Sequence, residues 1–140
     1  MKKIILLGDK KTTEIALKII KKYFSNKILI LGFVSNKNFY QSYIKKEISK
    51  RIEPKNFFFI SNEKRNEEQI LFKIKKHNPD FLLSIQHKWI LSQKLLKSVG
   101  YQCLNLHNAK LPNYKGYNSN NFQLPIMKKN ILQQFIGFLN

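Results

Sequence analysis

Short apolar runs alternate with longer amphipathic segments over the first 106 residues, and this alternation constrains the fold more than any other feature of the chain. The apolar runs have the length and composition of buried strands, and they cover residues 4–7, 28–34, 57–60, 81–85 and 102–106. The amphipathic segments between them predict helices over residues 12–24, 39–52, 66–77 and 92–99. Because strands separated by helices pair in parallel, the sequence predicts an α/β fold, a parallel sheet with helices on both faces.

Single residues predict where two of these helices begin or end. Thr12 or Thr13 is expected to cap the first helix, because a threonine hydroxyl can accept a hydrogen bond from a free N–H of the first turn. Pro54 is expected to end the second helix, since proline has no N–H to continue the helical hydrogen bonds.

Polar residues follow several strands at the sheet edge where ligands bind in parallel α/β folds. The segments expected there are Gly8-Asp9, Val34-Ser35-Asn36, Gln86-His87 and Asn105-Leu106-His107. The glycine after the first strand does not form a dinucleotide-binding fingerprint, because no second or third glycine follows it. The sequence therefore predicts a ligand site at this edge, but not an NAD site.

An asparagine and a histidine project together from the end of the fifth predicted strand. Asn105 and His107 point to the same side of an extended segment, because successive side chains alternate between faces. A neutral imidazole can accept a proton near pH 7, and a carboxamide can stabilise a developing oxyanion. The pair suits acyl transfer to an amine. The alternative is a buried pair that ties down a loop, and a lone N-x-H pattern favours that alternative.

The following residues extend the pattern to N-x-H-x-x-x-L-P-x-Y-[KR]-G over residues 105–116, which resembles the active-site segment of the folate-dependent formyltransferases. The resemblance continues upstream through residues 82–91 and covers roughly residues 1–122. It implies a Rossmann-like formyltransferase N-terminal domain that takes its formyl group from 10-formyltetrahydrofolate. It also implies that Asn105 and His107 are catalytic and work with a later aspartate.

The same resemblance implies binding residues on either side of the catalytic pair. The folate-binding strand and loop would comprise Ile85, Gln86, His87, Trp89, Ile90 and Leu91. The amine substrate would contact Leu111, Pro112, Tyr114 and Gly116. For Trp89 and Ile90 the alternative is a place in the core, where large apolar side chains mostly lie. No metal is expected in the site.

A nucleotide-linked amino sugar is the favoured amine acceptor. Residues 107–112 and 116–119 resemble the sugar N-formyltransferases more closely than the methionyl-tRNA formyltransferases. Two alternatives remain within the same resemblance. One is an enzyme similar to methionyl-tRNA formyltransferase, with tRNA as its partner, and the other is a truncated domain that binds folate without catalysis.

The formal charge of +18 raises a further alternative, a basic nucleic-acid-binding module. That alternative ranks last, because the lysines are spread along the chain as on solvated helix faces, and no known reader motif occurs. Only two of the 26 basic residues are arginines, and lysine accompanied by abundant asparagine and isoleucine is typical of an AT-rich genome.

Membrane and redox features are sparse in the sequence. No run of 18 apolar residues occurs, and the apolar start is too short for a signal peptide, so a cytoplasmic protein is expected. Cys103 is the only cysteine and lies in an apolar run. It is therefore expected to be a small core residue rather than a nucleophile.

The tail departs from the family pattern after about residue 122. The T-[IL]-H strand and the aspartate of a D-x-G turn that should follow are missing from residues 123–140. Back-translated with AT-rich codons and read two bases out of frame, residues 123–140 give I-T-N-N-E-K-K-Y-T-T-T-I-H-W-I-S-E, which resembles the missing strand. We therefore expect a truncated domain over residues 1–122, a frame displacement near Phe122, a poorly packed tail over residues 123–140 and no activity as written.

Overall fold

The computed structural model describes residues 1–48 and 55–106. In this part of the chain the strands are β1 (Lys2–Leu7), β2 (Ile28–Ser35), β3 (Phe58–Ser61), β4 (Phe81–Ile85) and β5 (Cys103–Leu106). The helices are α1 (Lys11–Tyr23), α2 (Lys37–Phe39, continued by a π-helical turn over Tyr40–Ile44), α3 (Glu67–His77) and α4 (Gln93–Ser98). Apart from the second helix, every predicted element is present, with ends that differ by at most two residues.

All of these strands pair in parallel, in the order β3-β2-β1-β4-β5, which confirms the predicted α/β sheet. The order reverses between β1 and β4, where Leu7 pairs with Ser84. On the far side of β4, Ser84 pairs with Asn105 of β5. Parallel sheets bind ligands outside the carboxyl ends of strands next to such a reversal. The polar ends of β1, β4 and β5 therefore lie side by side where a ligand is expected.

Alternate residues of the central strand β1 enter two separate cores, one on each face of the sheet. Ile4 and Leu6 join a cluster beneath α1 and the π-helical turn, whose buried members include Leu17, Ile20, Phe33, Ile44 and Phe81. Ile5 and Leu7 join the opposite cluster beneath α3 and α4, with Ile70, Ile74, Leu82 and Leu95. Each fully buried side chain of this kind contributes roughly 1.5–3 kcal/mol. Helices thus cover both faces, as the sequence predicts.

The second helix differs from its prediction at both ends. The amphipathic pattern predicts residues 39–52, whereas the helix begins at Lys37 and is π-helical over Tyr40–Ile44. Asn36 sets the start, because its Oδ1 accepts hydrogen bonds from the N–H groups of Asn38 (2.9 Å) and Phe39 (3.2 Å). The pattern missed this cap because Asn36 directly follows a strand. The predicted stop at Pro54 lies outside the described residues.

Tyr40 accounts for the wider turn. Its ring stacks on Phe59 of β3 with centroids 4.1 Å apart, and its carbonyl accepts a hydrogen bond of 2.9 Å from the N–H of Lys45, five residues on. A regular turn closes four residues on, so the π-helical turn shifts the following residues around the axis. Spacing of apolar residues alone does not reveal such a shift.

The predicted threonine cap of α1 is wrong. Lys10 occupies the cap position, and no side chain caps the helix there. Thr12 and Thr13 instead lie buried in the first turn, where Thr12 Oγ1 donates to Gln86 Oε1 at 2.9 Å and Thr13 Oγ1 donates to the carbonyl of Ile85 at 3.4 Å. Buried hydroxyls need partners, and here Ile85 at the end of β4 and the next residue, Gln86, supply the acceptors.

Gly8 lets the end of β1 approach the end of β4. Its N–H donates to the carbonyl of Val34 at 3.0 Å. A Cβ built here would overlap the carbonyl oxygen of Ile85 and would lie 2.5 Å from the hydroxyl oxygen of Thr13. Both atoms are held by the sheet and the first turn of α1, so neither can move aside freely.

Within residues 1–48 and 55–106, no helix is long and apolar enough to cross a membrane.

Replacing Gly8 with alanine should therefore destabilise the chain by about 1–3 kcal/mol, the usual cost of overpacking. Gly100 is the comparison, because a Cβ there meets nothing within 4 Å although its φ of +59° favours glycine. Urea unfolding followed by circular dichroism measures both variants. A loss for Gly8→Ala no larger than the loss for Gly100→Ala would contradict the close approach.

Glu14 should make stability depend on pH. Its buried carboxylate lies 2.8 Å from Lys18 Nζ and 3.0 Å from Lys11 Nζ. Burial disfavours the charge, but the hydrogen bonds and charges of the two lysines outweigh it and hold the pKa of Glu14 below its ordinary value. A lowered pKa stabilises the fold above the ordinary glutamate pKa, about 4.3, and this contribution is lost as the pH falls through the lower, folded value.

Glu14→Gln should accordingly lower the melting temperature at pH 7, with a difference from the unchanged chain that shrinks as the pH falls below the ordinary glutamate pKa. Thermal unfolding over a series of pH values gives this difference directly. Glu63→Gln is the control, since Glu63 is exposed and no ion pair to it is found in the described residues. A constant difference at every pH would show that packing, and not charge, sets the effect of Glu14.

Candidate functional site

A cleft of about 690 Å³ opens beside the carboxyl ends of β4 and β5. Its walls are Ser84 of β4, the loop over residues 86–91, Leu96 of α4, Tyr101 and residues of β5. The volume lies within the usual range for small-molecule sites, about 300–1,000 Å³. The cleft therefore occupies the edge at which the sequence predicts a ligand site.

The cleft brings together most of the predicted donor-binding residues that the structure describes. Asn105 lines it together with Gln86, His87, Trp89, Ile90 and Leu91. Ile85 is fully buried in the core beneath α1, so its side chain serves the fold. Five other predicted site residues lie outside the described residues: His107, Leu111, Pro112, Tyr114 and Gly116.

Gln86 begins the loop with an unusual backbone conformation. Its φ is +47°, in the left-handed region that non-glycine residues seldom adopt. Its N–H donates to the carbonyl of Leu106 at 3.3 Å, and its Oε1 accepts the hydrogen bond from Thr12. The side-chain nitrogen Nε2 is buried and has no hydrogen-bond partner in the described residues. The carbonyl half of the amide is thus fixed by the first turn of α1.

His87 is held neutral beside the cleft. Burial lowers the pKa of His87, and the charge of nearby Asp9 only partly opposes this effect. Asp9 is itself positioned by Asn62, whose Nδ2 donates to Asp9 Oδ2 at 2.9 Å. The Nδ1 atom of His87 is buried and has no hydrogen-bond partner among the described residues. A neutral imidazole at this position can donate a hydrogen bond to a ligand or accept one from it.

Trp89 and Ile90 are not core residues. The side chain of Ile90 is 87 % exposed, which excludes the core alternative for this residue. Trp89 is partly buried, its Nε1 donates to the carbonyl of Asn62 at 2.8 Å, and Lys88 Nζ lies 5.0 Å from its ring centroid. An exposed isoleucine beside a fixed indole gives the cleft an apolar rim.

Asn105 stands on β5, exposed and opposite Ser84. Cys103 lies two residues earlier and also lines the cleft. Burial raises the pKa of the Cys103 thiol, which therefore stays protonated near pH 7 and is not an activated nucleophile. Its partial burial against the core beneath α3 and α4 agrees with the small core residue that the sequence predicts.

Sequence reasoning missed four residues that shape the site: Ser84, Cys103, Thr12 and Asn62. Cys103 could have been found from strand alternation, because it lies two residues before Asn105 on the same face of β5, and Ser84 lies in the predicted strand that leads into the loop. Thr12 and Asn62 come from distant elements, and only the arrangement of β1, β3 and β4 brings them to the loop. The two threonines after Gly8 were the available signal, but a capping role explained them equally well.

Comparison with known proteins agrees with this geometry. The sequence model of the formyl transferase family matches residues 2–125. The methionyl-tRNA formyltransferase of Clostridium acetobutylicum is 38 % identical over 52 residues, which are 37 % of this chain and 17 % of that protein. The aligned segment is thus a small part of that relative's length.

Two solved structures share the fold. Phosphoribosylglycinamide formyltransferase from Brucella melitensis matches with a TM-score of 0.62 and 14 % identity, over 89 % of this chain and 66 % of that one. The enzyme of the same name from Anaplasma phagocytophilum matches with a TM-score of 0.57 and 20 % identity, over 90 % and 58 %. At these identities the likeness concerns the fold alone.

The hydrogen bond from Thr12 to Gln86 gives a prediction for the site. Thr12→Val removes the donor and leaves both ends of a buried amide without a partner, so it should destabilise the chain by about 1–3 kcal/mol. Thr13→Val is the matched control, because Thr13 is equally buried but its hydroxyl is 3.4 Å from its acceptor. Urea unfolding compares the two. Equal losses would mean that the contact to Gln86 has no special weight.

Proposed function

The chain belongs to the formyl transferase family, and from that premise we propose that it forms a formyltransferase domain with 10-formyltetrahydrofolate as its donor. The observation that carries the proposal is the position of Asn105, whose side chain lines the same cleft as the loop over residues 86–91. A carboxamide next to a ligand cleft can donate a hydrogen bond to a carbonyl oxygen that becomes negative during acyl transfer.

The cleft has features that a folate would use. Its apolar rim at Trp89, Ile90 and Leu91 offers contact area to a flat ring system. The buried Nε2 of Gln86 is a donor that no described residue satisfies, and buried donors usually have partners. A ligand with ring nitrogen and carbonyl acceptors would supply that partner. The residues present therefore fit the donor that this family uses.

The proposed roles follow from the chemistry of each side chain. The donor supplies the formyl group when it is bound. Asn105 holds the formyl oxygen by a hydrogen bond, and His107 accepts the proton that the attacking amine loses. Leu111, Pro112, Tyr114 and Gly116 are proposed to contact the amine substrate, and Gln86 to Leu91 to bind the donor. The proposal includes a cytoplasmic location.

The amine acceptor that we favour is a nucleotide-linked amino sugar, on the resemblance of residues 107–112 and 116–119. A second candidate is methionyl-tRNA, since relatives of that name share a segment of 52 residues at 36–38 % identity. The acceptor amine of a glycinamide ribonucleotide is a third, because solved structures of that name share the fold. The three acceptors differ in size and in the groups attached to the amine. Assaying formyl transfer to each of them decides among them.

We also propose that the catalytic domain spans residues 1–122 and that the reading frame is displaced near Phe122. No Asp or Glu follows Asp80 in the sequence, so these residues do not supply the third catalytic group of the family. The chain as written would then bind the donor without transferring its formyl group. The alternative of a folate-binding remnant describes this state of the protein.

The experiment compares the 140-residue chain with a version whose frame is restored after Phe122. Donor binding to both chains is measured by isothermal titration calorimetry with 5-formyltetrahydrofolate, a stable isomer of the donor, because the restored frame adds a second tryptophan to Trp89. Formyl transfer is measured with 10-formyltetrahydrofolate and each of the three acceptors. We expect both chains to bind, and only the restored chain to transfer, with the amino sugar as its best acceptor.

In the restored chain, Asn105→Ala and His107→Ala should each lower the rate by about 10² or more without loss of folding. Gln102→Ala is the amide control, because Gln102 is exposed and does not line the cleft. Turnover by the 140-residue chain would refute its proposed inactivity. A restored chain that is inactive on every acceptor would count against the formyltransferase proposal.

A further inference from the structure

We propose that Arg65 and Glu67 are positioning residues that hold the loop over residues 86–92 in its ligand-accepting shape from outside the cleft. Both lie in or just after the connection between β3 and α3, and neither lines the cleft. Arg65 Nη2 donates to the carbonyl of Ile90 at 3.1 Å, and Glu67 Oε1 accepts from the N–H of Ser92 at 3.0 Å. We call these two hydrogen bonds the brace. Its importance for ligand binding rests on the proposed function.

The two hydrogen bonds of the brace are made to backbone atoms of the loop, the carbonyl of Ile90 and the N–H of Ser92. Trp89 is fixed by its hydrogen bond to the carbonyl of Asn62, so residues 89, 90 and 92 are all bound from residues 62–67. At Ile90 the carbonyl is held from behind while the side chain stays exposed at the rim. The brace thus fixes the backbone and leaves the ligand-facing side chains free.

Arg65 is unusual for this chain. The sequence contains 24 lysines and only two arginines, and the other arginine, Arg51, lies outside the described residues. Arg65 Nη2 serves two acceptors, since it also lies 3.5 Å from Glu67 Oε1. A planar guanidinium presents its donors in fixed directions, whereas a lysine ammonium is a strongly hydrated point charge on a flexible stem. An arginine is therefore the better group for aligning a carbonyl with a carboxylate.

Glu67 fixes the far end of the loop. Burial disfavours its charge, but the hydrogen bonds from Ser92 and the charge of Arg65 outweigh this and hold the pKa of Glu67 below its ordinary value. The carboxylate is therefore ionised at neutral pH and accepts a strengthened hydrogen bond. Ser92 in turn begins α4, because its Oγ accepts a hydrogen bond from the N–H of Leu95 at 3.2 Å. Ser92 is thus both the last residue of the loop, held by Glu67, and the cap of α4.

The brace should affect the loop more than the overall fold. The side chain of Arg65 is 52 % exposed, and ion pairs that are open to water contribute little to folding stability. A loop held by a few such contacts can still lose affinity when they are removed, because ligand binding must then also order the loop. The expected signature is altered loop accessibility and weaker binding with a nearly unchanged melting temperature.

The test uses the 140-residue chain with Arg65→Lys, Glu67→Ala and Glu67→Gln. Glu68→Ala is the matched control, since Glu68 is the next residue and its carboxylate pairs with Lys94 at 3.2 Å instead of contacting the loop. Two readouts are taken: acrylamide quenching of Trp89 without ligand, and the dissociation constant of 5-formyltetrahydrofolate. Circular dichroism confirms that each variant is folded.

Arg65→Lys and Glu67→Ala should increase the quenching of Trp89 and weaken binding by about three- to tenfold, as expected for the loss of one charge-assisted hydrogen bond. Glu67→Gln keeps an acceptor for Ser92 and should restore most of the affinity, and Glu68→Ala should match the unchanged chain. Quenching that does not change in Arg65→Lys, or that changes equally in Glu68→Ala, overturns the brace. If the unchanged chain binds no folate, the proposed function fails, and the quenching data still decide the brace.

Discussion

The site depends on the close contact between the ends of β1 and β4. Gly8 permits that contact, since a side chain there would overlap the carbonyl of Ile85. The next residue, Gln86, then leaves the strand in a left-handed conformation, with its side chain bound to Thr12 and its N–H to Leu106. Such a conformation in a non-glycine residue costs about 1–2 kcal/mol and persists only where the surroundings fix it. Here the surroundings are the first turn of α1 on one side and the end of β5 on the other.

The two apolar cores stabilise the sheet, whereas the polar residues near the carboxyl ends of its strands form the cleft. The apolar residues of β1 and β4 are fully buried and hold the strands in register, so the positions at which they end are set by packing and not by the site. The polar groups around the cleft lie near the carboxyl ends of these strands or are brought there from other elements. Thr12 and Asn62 hydrogen-bond to the loop, and Ser84 and Gln86 line the cleft. The packed apolar strands thus fix the positions at which the chain leaves the sheet, and the residues near those positions form the cleft.

Local patterns in the sequence predicted what local forces determine. β4 was predictable because a short, mostly apolar run between two amphipathic segments is typical of a buried strand, and strand alternation placed Asn105 on the same side as His107. The threonines of α1 were misjudged, since their hydroxyls serve a residue 74 positions away. The π-helical turn escaped for a similar reason, because the stacking of Tyr40 on Phe59 is a tertiary contact. His107 and the predicted acceptor residues lie outside the described residues, so those assignments remain predictions.

Donor binding and chemistry are carried by different stretches of this chain. Within the described residues, the contacts that fix the loop over residues 86–92 come from groups between Thr12 and Leu106. The proposed proton acceptor and the acceptor-binding residues, in contrast, all follow residue 106. A change confined to the segment after residue 106 is therefore expected to impair transfer while leaving these contacts in place. For this reason an enzyme and a folate-binding remnant are expected to share the same cleft, and only a measurement of transfer, not of binding, separates them.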